Sequence, residues 1–232
     1  MTAVGTHNEK TRVAWLEKTL QRIPAGSRIL DAGAGEQQFR RFCTHLNYVA
    51  QDFGQYDGTG DVRGLQMGKW DQSNLDIVSD ITAIPEPNAS FDGIMCIEVL
   101  EHLSDPILAF REFSRLLKPD GQLIVTAPFC SLTHFAPYHF YTGFNRYFFE
   151  KHLNACGFRV DELVENGNYF EYLAQEVRRI PNVAERYANI RPTRLETYAV
   201  RLVLSMLGRF SARDKGSSEL LHYGCLVLAT KK

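Results

Sequence analysis

The stretch that most constrains this chain is Arg28-Ile29-Leu30-Asp31-Ala32-Gly33-Ala34-Gly35. Ile29 and Leu30 close a short apolar run of the kind that forms a buried strand, and Asp31 to Gly35 reads as the turn leaving it. Two glycines one residue apart let the backbone bend sharply and leave no side chain between main chain and ligand. Gln37 to Leu46 mixes apolar and polar residues at helical spacing, which predicts that the turn opens a helix. Strand, glycine turn and helix make a nucleotide-sized pocket at the carboxyl end of a parallel sheet.

What the turn lacks narrows the ligand. A dinucleotide site carries a third glycine so that a pyrophosphate can rest on the helix N-terminus. Gln38 occupies that position, and Glu36 directly follows the second glycine. A carboxylate at this mouth repels a pyrophosphate, whereas Asp31 at the strand end suits an ammonium group. The turn therefore points to a nucleoside that carries a cation.

Along the chain, Val13, Leu16, Leu20 and Ile23 mark an amphipathic helix over residues 8–22, stopped by Pro24 and Gly26. Strand 1 covers 28–31, and Tyr48-Val49-Ala50 is strand 2, ending in Gln51-Asp52-Phe53. Asp52 lies about 20 positions after the glycine turn, where a carboxylate that accepts from both ribose hydroxyls belongs. A simple turn aspartate before Gly54 is the alternative. Residues 54–74 are rich in Gly, Asp and Gln and predict an irregular loop or frayed helix. Its Trp70 and Tyr56 either cover the ligand mouth or pin the loop to the core. Residues 75–78 form strand 3, followed by Asp80 and Ile81, and Phe91 to Ile97 forms strand 4, near-continuously apolar as buried parallel strands require. Asp105-Pro106 starts a helix to Leu117, and Lys118-Pro119-Asp120-Gly121 turns into strand 5, 122–127.

Residues 128–142 follow strand 5 at the ligand end of the sheet. They hold Phe129, His134, Phe135, Tyr138, His139, Phe140 and Tyr141, with Pro128 and Pro137 blocking regular structure. Aromatic rings with two imidazoles suggest a shaped apolar pocket with a proton acceptor. Thr142 then caps a helix from Gly143 to Cys156, and 159–164 is strand 6. Helix resumes near Tyr169, with Pro181 and Pro192 dividing the following residues into short helices up to Phe210. Ser211 to Ser218 is polar, and 222–231 is the last strand.

Composition sets bounds. A chain of 232 residues that is 44% apolar buries one good core, so a single domain over 1–232 is expected. A net charge of −1 implies no general attraction to nucleic acid. Five scattered cysteines with no C-x-x-C pattern fit a reducing compartment. No leader-like apolar core is seen at the N-terminus, and Ala199 to Leu207 is short and carries Arg201, so no membrane span and a cytoplasmic location are expected. Tyr147-x-x-x-Lys151 matches a dehydrogenase spacing, but the glycine turn lacks the dinucleotide form, and chance on an amphipathic helix explains it. The histidines show no recognised metal-ligand spacing. His134 and His139 could share an ion only within a loop, and no metal is expected.

Ile29 to Gly35 resembles the first motif of class I S-adenosylmethionine-dependent methyltransferases. Asp80-Ile81 with Ile84-Pro85, Glu98 with Leu100-Glu101-His102, and the Lys118-Pro119-x-Gly121 turn follow in that family's order. The resemblance implies an α/β, Rossmann-like, doubly wound seven-stranded sheet of order 3-2-1-4-5-7-6 with strand 7 antiparallel. Residues 175–218 exceed the family's last crossover and are expected to be a helical insertion, covering the site or making a homodimer contact. It also implies S-adenosylmethionine as cofactor, held by Asp31, Ala32, Gly33, Gly35, Asp52, Phe53, Asp80, Ile81, Ile97 and Glu98. In the family, a carboxylate at the Asp80 position meets the adenine amine, although a capping role is the competing view. The expected reaction is methyl transfer to a hydroxyl or other heteroatom of a small molecule, with His139 or His134 as base. Phe129, Tyr138, Tyr141 and His102 are the candidate acceptor contacts. A glycan or lipid-linked sugar acceptor is the alternative, and a non-catalytic cofactor-binding relic a more distant one. No N/D-P-P-Y/F tetrapeptide follows strand 4, which argues against a nucleic-acid acceptor.

Overall fold

The computed structural model describes residues 3–232. Seven strands form one sheet in the order β3-β2-β1-β4-β5-β7-β6. They are β1 (Arg28–Ala32), β2 (Asn47–Asp52), β3 (Ile77–Val78), β4 (Phe91–Ile97), β5 (Leu117–Pro128), β6 (Phe158–Asn166) and β7 (Gly224–Lys231). β1 pairs parallel with β2 and β4, β4 parallel with β5, and β5 antiparallel with β7. This is the expected topology. Order reverses between β1 and β4, which opens a crevice above their carboxyl ends.

The helices are α1 (Asn8–Leu20), α2 (Pro106–Leu116), α3 (Arg146–Ala155), α4 (Tyr169–Ala188) and α5 (Arg194–Ser211). The chain divides into two compact units, Ala14–Val164 with Gly224–Lys232, and the residues up to Val13 with Glu165–Tyr223. In the first, the core joins β1, β4, β5 and β7 to α2 and α3 through Phe91, Phe110, Phe113, Phe149 and Phe158, all fully buried. Truncating any one of these rings to alanine costs about 3–5 kcal/mol. Asp105 caps α2 by accepting from Ile107 N (3.0 Å) and Leu108 N (3.2 Å), with Pro106 at the first helical position. In the second unit, Val4, Ala174, Leu204 and Leu207 form a small core, and Phe170 packs on Phe210 at 5.5 Å between α4 and α5.

Four local expectations are corrected. No α-helix follows the glycine turn: Gln37 has φ +58°, outside helical space, and donates through Nε2 to Asn74 O (2.7 Å). A single 3-10 turn over Arg40–Phe42 is all that fits before β2. α3 begins at Arg146 under an Asn145 cap, because Phe144 N is spent on Pro128 O (2.8 Å) at the end of β5. Lys118 to Gly121 bulges within β5, where Leu117 pairs with Phe91 and Gln122 with Gly93. Pro181 lies inside α4 and does not divide it. The α4–α5 packing and the helix-forming neighbours Arg178, Arg179 and Ala184 outweigh the missing hydrogen bond, a cost of about 3 kcal/mol.

Candidate functional site

The glycine turn is strapped to β2. Gly33 N and Ala34 N both donate to Gln51 O (2.9 and 2.8 Å), and the Gln51 amide reaches on to Ser79 O (2.7 Å). Gly33 has φ +79°, and a methyl group there would lie 2.5 Å from Val99 Cγ2. Only glycine fits both constraints. Gly35 N donates to Asp52 Oδ2 (3.0 Å), and Gly54 N to Asp52 Oδ1 (3.0 Å), so two backbone amides fix this buried carboxylate. Gln72 Nε2 also donates to Oδ1 (2.8 Å), as a sugar hydroxyl would.

Asp31 is 2% exposed and accepts from Tyr48 Oη at 2.5 Å. Burial pushes its carboxyl up to about 7, against the pull of the tyrosine and with help from the Asp52 charge. A buried acid held so high gains most from a cationic neighbour. Asp80 is exposed, and its Oδ1 takes Thr82 N and Oγ1, both at 2.8 Å. Ile81 belongs to the core, and Ile97 is buried at the end of β4. Glu98 follows with φ +56°, a conformation costly for a non-glycine residue, and its Oε1 accepts from Thr126 Oγ1 (2.8 Å).

Residues 54–74 form the irregular loop expected, and the loop lies on the site. Leu65 N donates to Thr133 O (2.9 Å), Phe135 N to Leu65 O (3.1 Å) and Asp61 N to Ala136 O (3.0 Å), tying it to the aromatic segment. Tyr56 stacks on Phe135 at 4.2 Å, and Trp70 meets the same ring edge-on at 5.3 Å. Trp70 also covers Gly35: a methyl group on that glycine would lie 2.6 Å from Trp70 Cζ2. Asp71 N donates to Glu36 Oε1 (3.0 Å), so residues 70–72 dock on the glycine turn together.

Beside this cover the imidazoles gather. His102 and His134 have ring centres 4.7 Å apart, and His134 and His139 4.9 Å apart. Burial and then His134 pull His102 down to about 3, and the same two causes lower His139, keeping both neutral near pH 7. His139 Nε2 lies 3.1 Å from Ser131 Oγ. Tyr138 lies edge-on to Phe53 at 5.0 Å. Phe129 continues directly from β5, while Tyr141 turns to Ser104 O (3.2 Å) and Phe144. Gln72, Val99, Glu101 and Ser131 belong to this constellation without having been singled out from sequence. Glu101 alone left a signal, as the middle residue of Leu-Glu-His. Tyr147 is 70% exposed, which suits a chance match to Y-x-x-x-K.

The site fits a cationic nucleoside: a backbone-fixed carboxylate for a sugar diol, a second carboxylate for an exocyclic amine, and a buried acid for a positive charge. Sheet order and turn together define a Rossmann-like, class I fold with its crevice over β1 and β4. Residues 6–177 match the family described as a methyltransferase domain, and the chain belongs to that family. It is similar to the ubiquinone biosynthesis O-methyltransferase of Xanthomonas oryzae pv. oryzae, 32% identical over 105 residues, which are 44% of this chain and 43% of that protein. It is also 30% identical over 171 residues to the demethylmenaquinone methyltransferase of Renibacterium salmoninarum, covering 71% of this chain and 66% of that one. The chain thus spans less than half the length of the first relative. A crystal structure of a SAM dependent methyltransferase from Archaeoglobus fulgidus superposes with a TM-score of 0.57 at 16% identity, over 97% of this chain and 94% of that one. Among the described residues, no helix is long and apolar enough to cross a membrane.

Proposed function

We propose that this chain transfers a methyl group from S-adenosylmethionine to a hydroxyl or other heteroatom of a small molecule. The observation that carries this reading is the pairing of the Gly33–Gly35 turn with Asp52, whose carboxylate is held by Gly35 N and Gly54 N. Asp52 takes the ribose hydroxyls beside Phe53, in the place of the Gln72 amide. Asp80 takes the adenine amine, with Ile81 behind it. Asp31 faces the ammonium, and Ala32, Ile97 and Glu98 line the methionine end. The sulfonium supplies an electrophilic methyl group when bound. The chain's remaining task is to align the acceptor and remove its proton. His139, neutral and hydrogen-bonded to Ser131, is the base we favour over His134, whose Nε2 is turned toward Glu101. Phe129, Tyr138 and His102 wall the acceptor, with Tyr141 at the rim. Relatives named for quinone methylation favour a flat aromatic acceptor, which the Tyr56, Phe135 and Tyr138 rings suit.

Calorimetric titration with S-adenosylmethionine, followed by incubation of the loaded protein with a metabolite extract and labelled cofactor, tests the reading. One cofactor per chain and a labelled small molecule are expected. Absence of uptake at millimolar cofactor, which corresponds to a binding energy weaker than about 4 kcal/mol, refutes it.

A further inference from the structure

Outside the cofactor contacts, Glu101, His102 and His134 bring three ligand-type groups to one point. One ligating atom from each lies within 4.8 Å of the other two. The Glu101 carboxyl is 1% exposed, and its Oε1 is 3.8 Å from His102 Nε2 and 3.8 Å from His134 Nε2. Both imidazoles are oriented from behind. His102 Nδ1 meets Tyr138 O at 2.5 Å, and His134 Nδ1 meets Leu132 O at 2.8 Å. A carbonyl oxygen only accepts, so each Nδ1 carries a hydrogen, and in the neutral ring each Nε2 presents its lone pair toward the same carboxylate oxygen. At 3.8 Å neither approach is a hydrogen bond. The main chain at Glu101 is anchored as well, since Phe140 N and Tyr141 N both donate to its backbone carbonyl oxygen (2.9 and 3.2 Å). Two imidazoles fixed through their Nδ1 atoms by backbone carbonyls, beside a buried carboxylate on an anchored main chain, resemble metal ligands whose far nitrogens are hydrogen-bonded.

We propose that Glu101, His102 and His134 form a binding site for a divalent cation of the zinc or manganese type. An ion held equally by three atoms at such spacings sits about 2.2–2.5 Å from each, so small inward shifts reach the usual ligand distances of about 2.0–2.2 Å. The mixed nitrogen and oxygen set favours these ions over Mg2+ or Ca2+, which prefer oxygen alone. Three protein ligands leave positions open, as in catalytic rather than structural sites. Ion binding stands on this geometry by itself. Its use, to polarise the acceptor hydroxyl beside His139, rests on the methyl-transfer reading.

The test uses the full chain freed of metal with a chelator, then titrated with Zn2+, Mn2+ and Mg2+ by calorimetry, with the bound metal counted by elemental analysis. One Zn2+ or Mn2+ per chain is expected, with Mg2+ weaker and with His134→Ala lowering affinity about a hundredfold. Unfolding curves of the metal-free proteins show whether the variant folds. Diethyl pyrocarbonate labelling of the unaltered protein needs no variant: bound metal should protect His102 and His134 and leave exposed His7 reactive. Less than one ion per chain, affinity unchanged in His134→Ala, or protection absent at both histidines overturns the site. S-adenosylmethionine titrated into the same metal-free protein separates the two failures. Cofactor uptake without metal uptake sinks the ion site alone, and the reverse sinks the methyl-transfer reading alone.

Discussion

If Asp31 faces the cofactor's positive charge as proposed, cofactor uptake should be coupled to a proton. Its carboxyl is raised from 3.8 to about 7, chiefly by burial, so above neutral pH the folded chain holds a poorly solvated negative charge there. A difference of that size corresponds to about 4 kcal/mol between the two protonation states. The sign follows from the raised value. Asp31 contributes stability that is complete below about pH 4 and is lost as pH rises through about 7, because over that window the folded state binds the extra proton. A bound ammonium or sulfonium reverses this by favouring the carboxylate. At pH 6.5 about three quarters of Asp31 is protonated, so each cofactor bound should release about 0.7 proton, falling below about 0.1 at pH 8.5. Below pH 7 the dissociation constant should fall up to about tenfold per pH unit. Calorimetry in two buffers of different ionisation enthalpy reads the proton count directly. The cofactor's own amine, titrating near about 8, contributes with the opposite sign. Asp31→Asn measured in parallel subtracts it. The same variant should melt higher at pH 8 while binding cofactor more weakly, since the buried charge is both the cost and the attraction. Identical proton release in Asp31→Asn and the unaltered protein would refute the coupling.

Four shorter predictions follow from other parts of the structure. His139→Ala should lower turnover about 100- to 10,000-fold with cofactor affinity unchanged, by single-turnover assay and calorimetry. Gly33→Ala drives a methyl group into Val99 from a φ of +79°, and should cost about 1–3 kcal/mol in chemical denaturation. Val99→Ala added to it should recover part of that loss, and a double variant as unstable as the single one refutes the contact. Because Trp70 lies on Gly35, its emission in a Trp15→Phe background should change on cofactor addition. A flat signal alongside calorimetric binding means the ring is not displaced. Burial pushes the Glu112 carboxyl up, but the bonds from Arg115 and Ile84 N (2.7 Å) outweigh it and hold the group low. Glu112→Ala should therefore cost about 2 kcal/mol near pH 7, less as pH falls through the carboxylate range.

The strands were legible from signals that survive in a single chain, namely apolar runs at β1, β4, β5 and β7 separated by glycine and proline turns, while their order came from the resemblance to class I methyltransferases. The helix expected after the glycine turn was not, because its spacing is real but Gln37 is held in the left-handed region by a contact to Asn74, 37 positions away. Pro181 fails as a helix breaker for a related reason, since the packing of α4 on α5 decides the matter and local propensity does not. The same limit governs the site. Asp52 could be placed beside the glycine turn from its spacing in the chain, whereas Gln72 and Trp70 reach the turn from a loop whose path no periodicity encodes. Glu101 is the sharpest case. Its sequence neighbour His102 shares its tripeptide, but His134 comes from another loop, and only the carbonyls of Leu132 and Tyr138 turn both rings toward one carboxylate. Strand ends are thus written locally and can be read one at a time. The chemistry above them depends on where two irregular loops, 54–74 and 128–142, lock together at Leu65 and His134. Acceptor choice should accordingly respond more to changes in that lock than to changes in the strands beneath it.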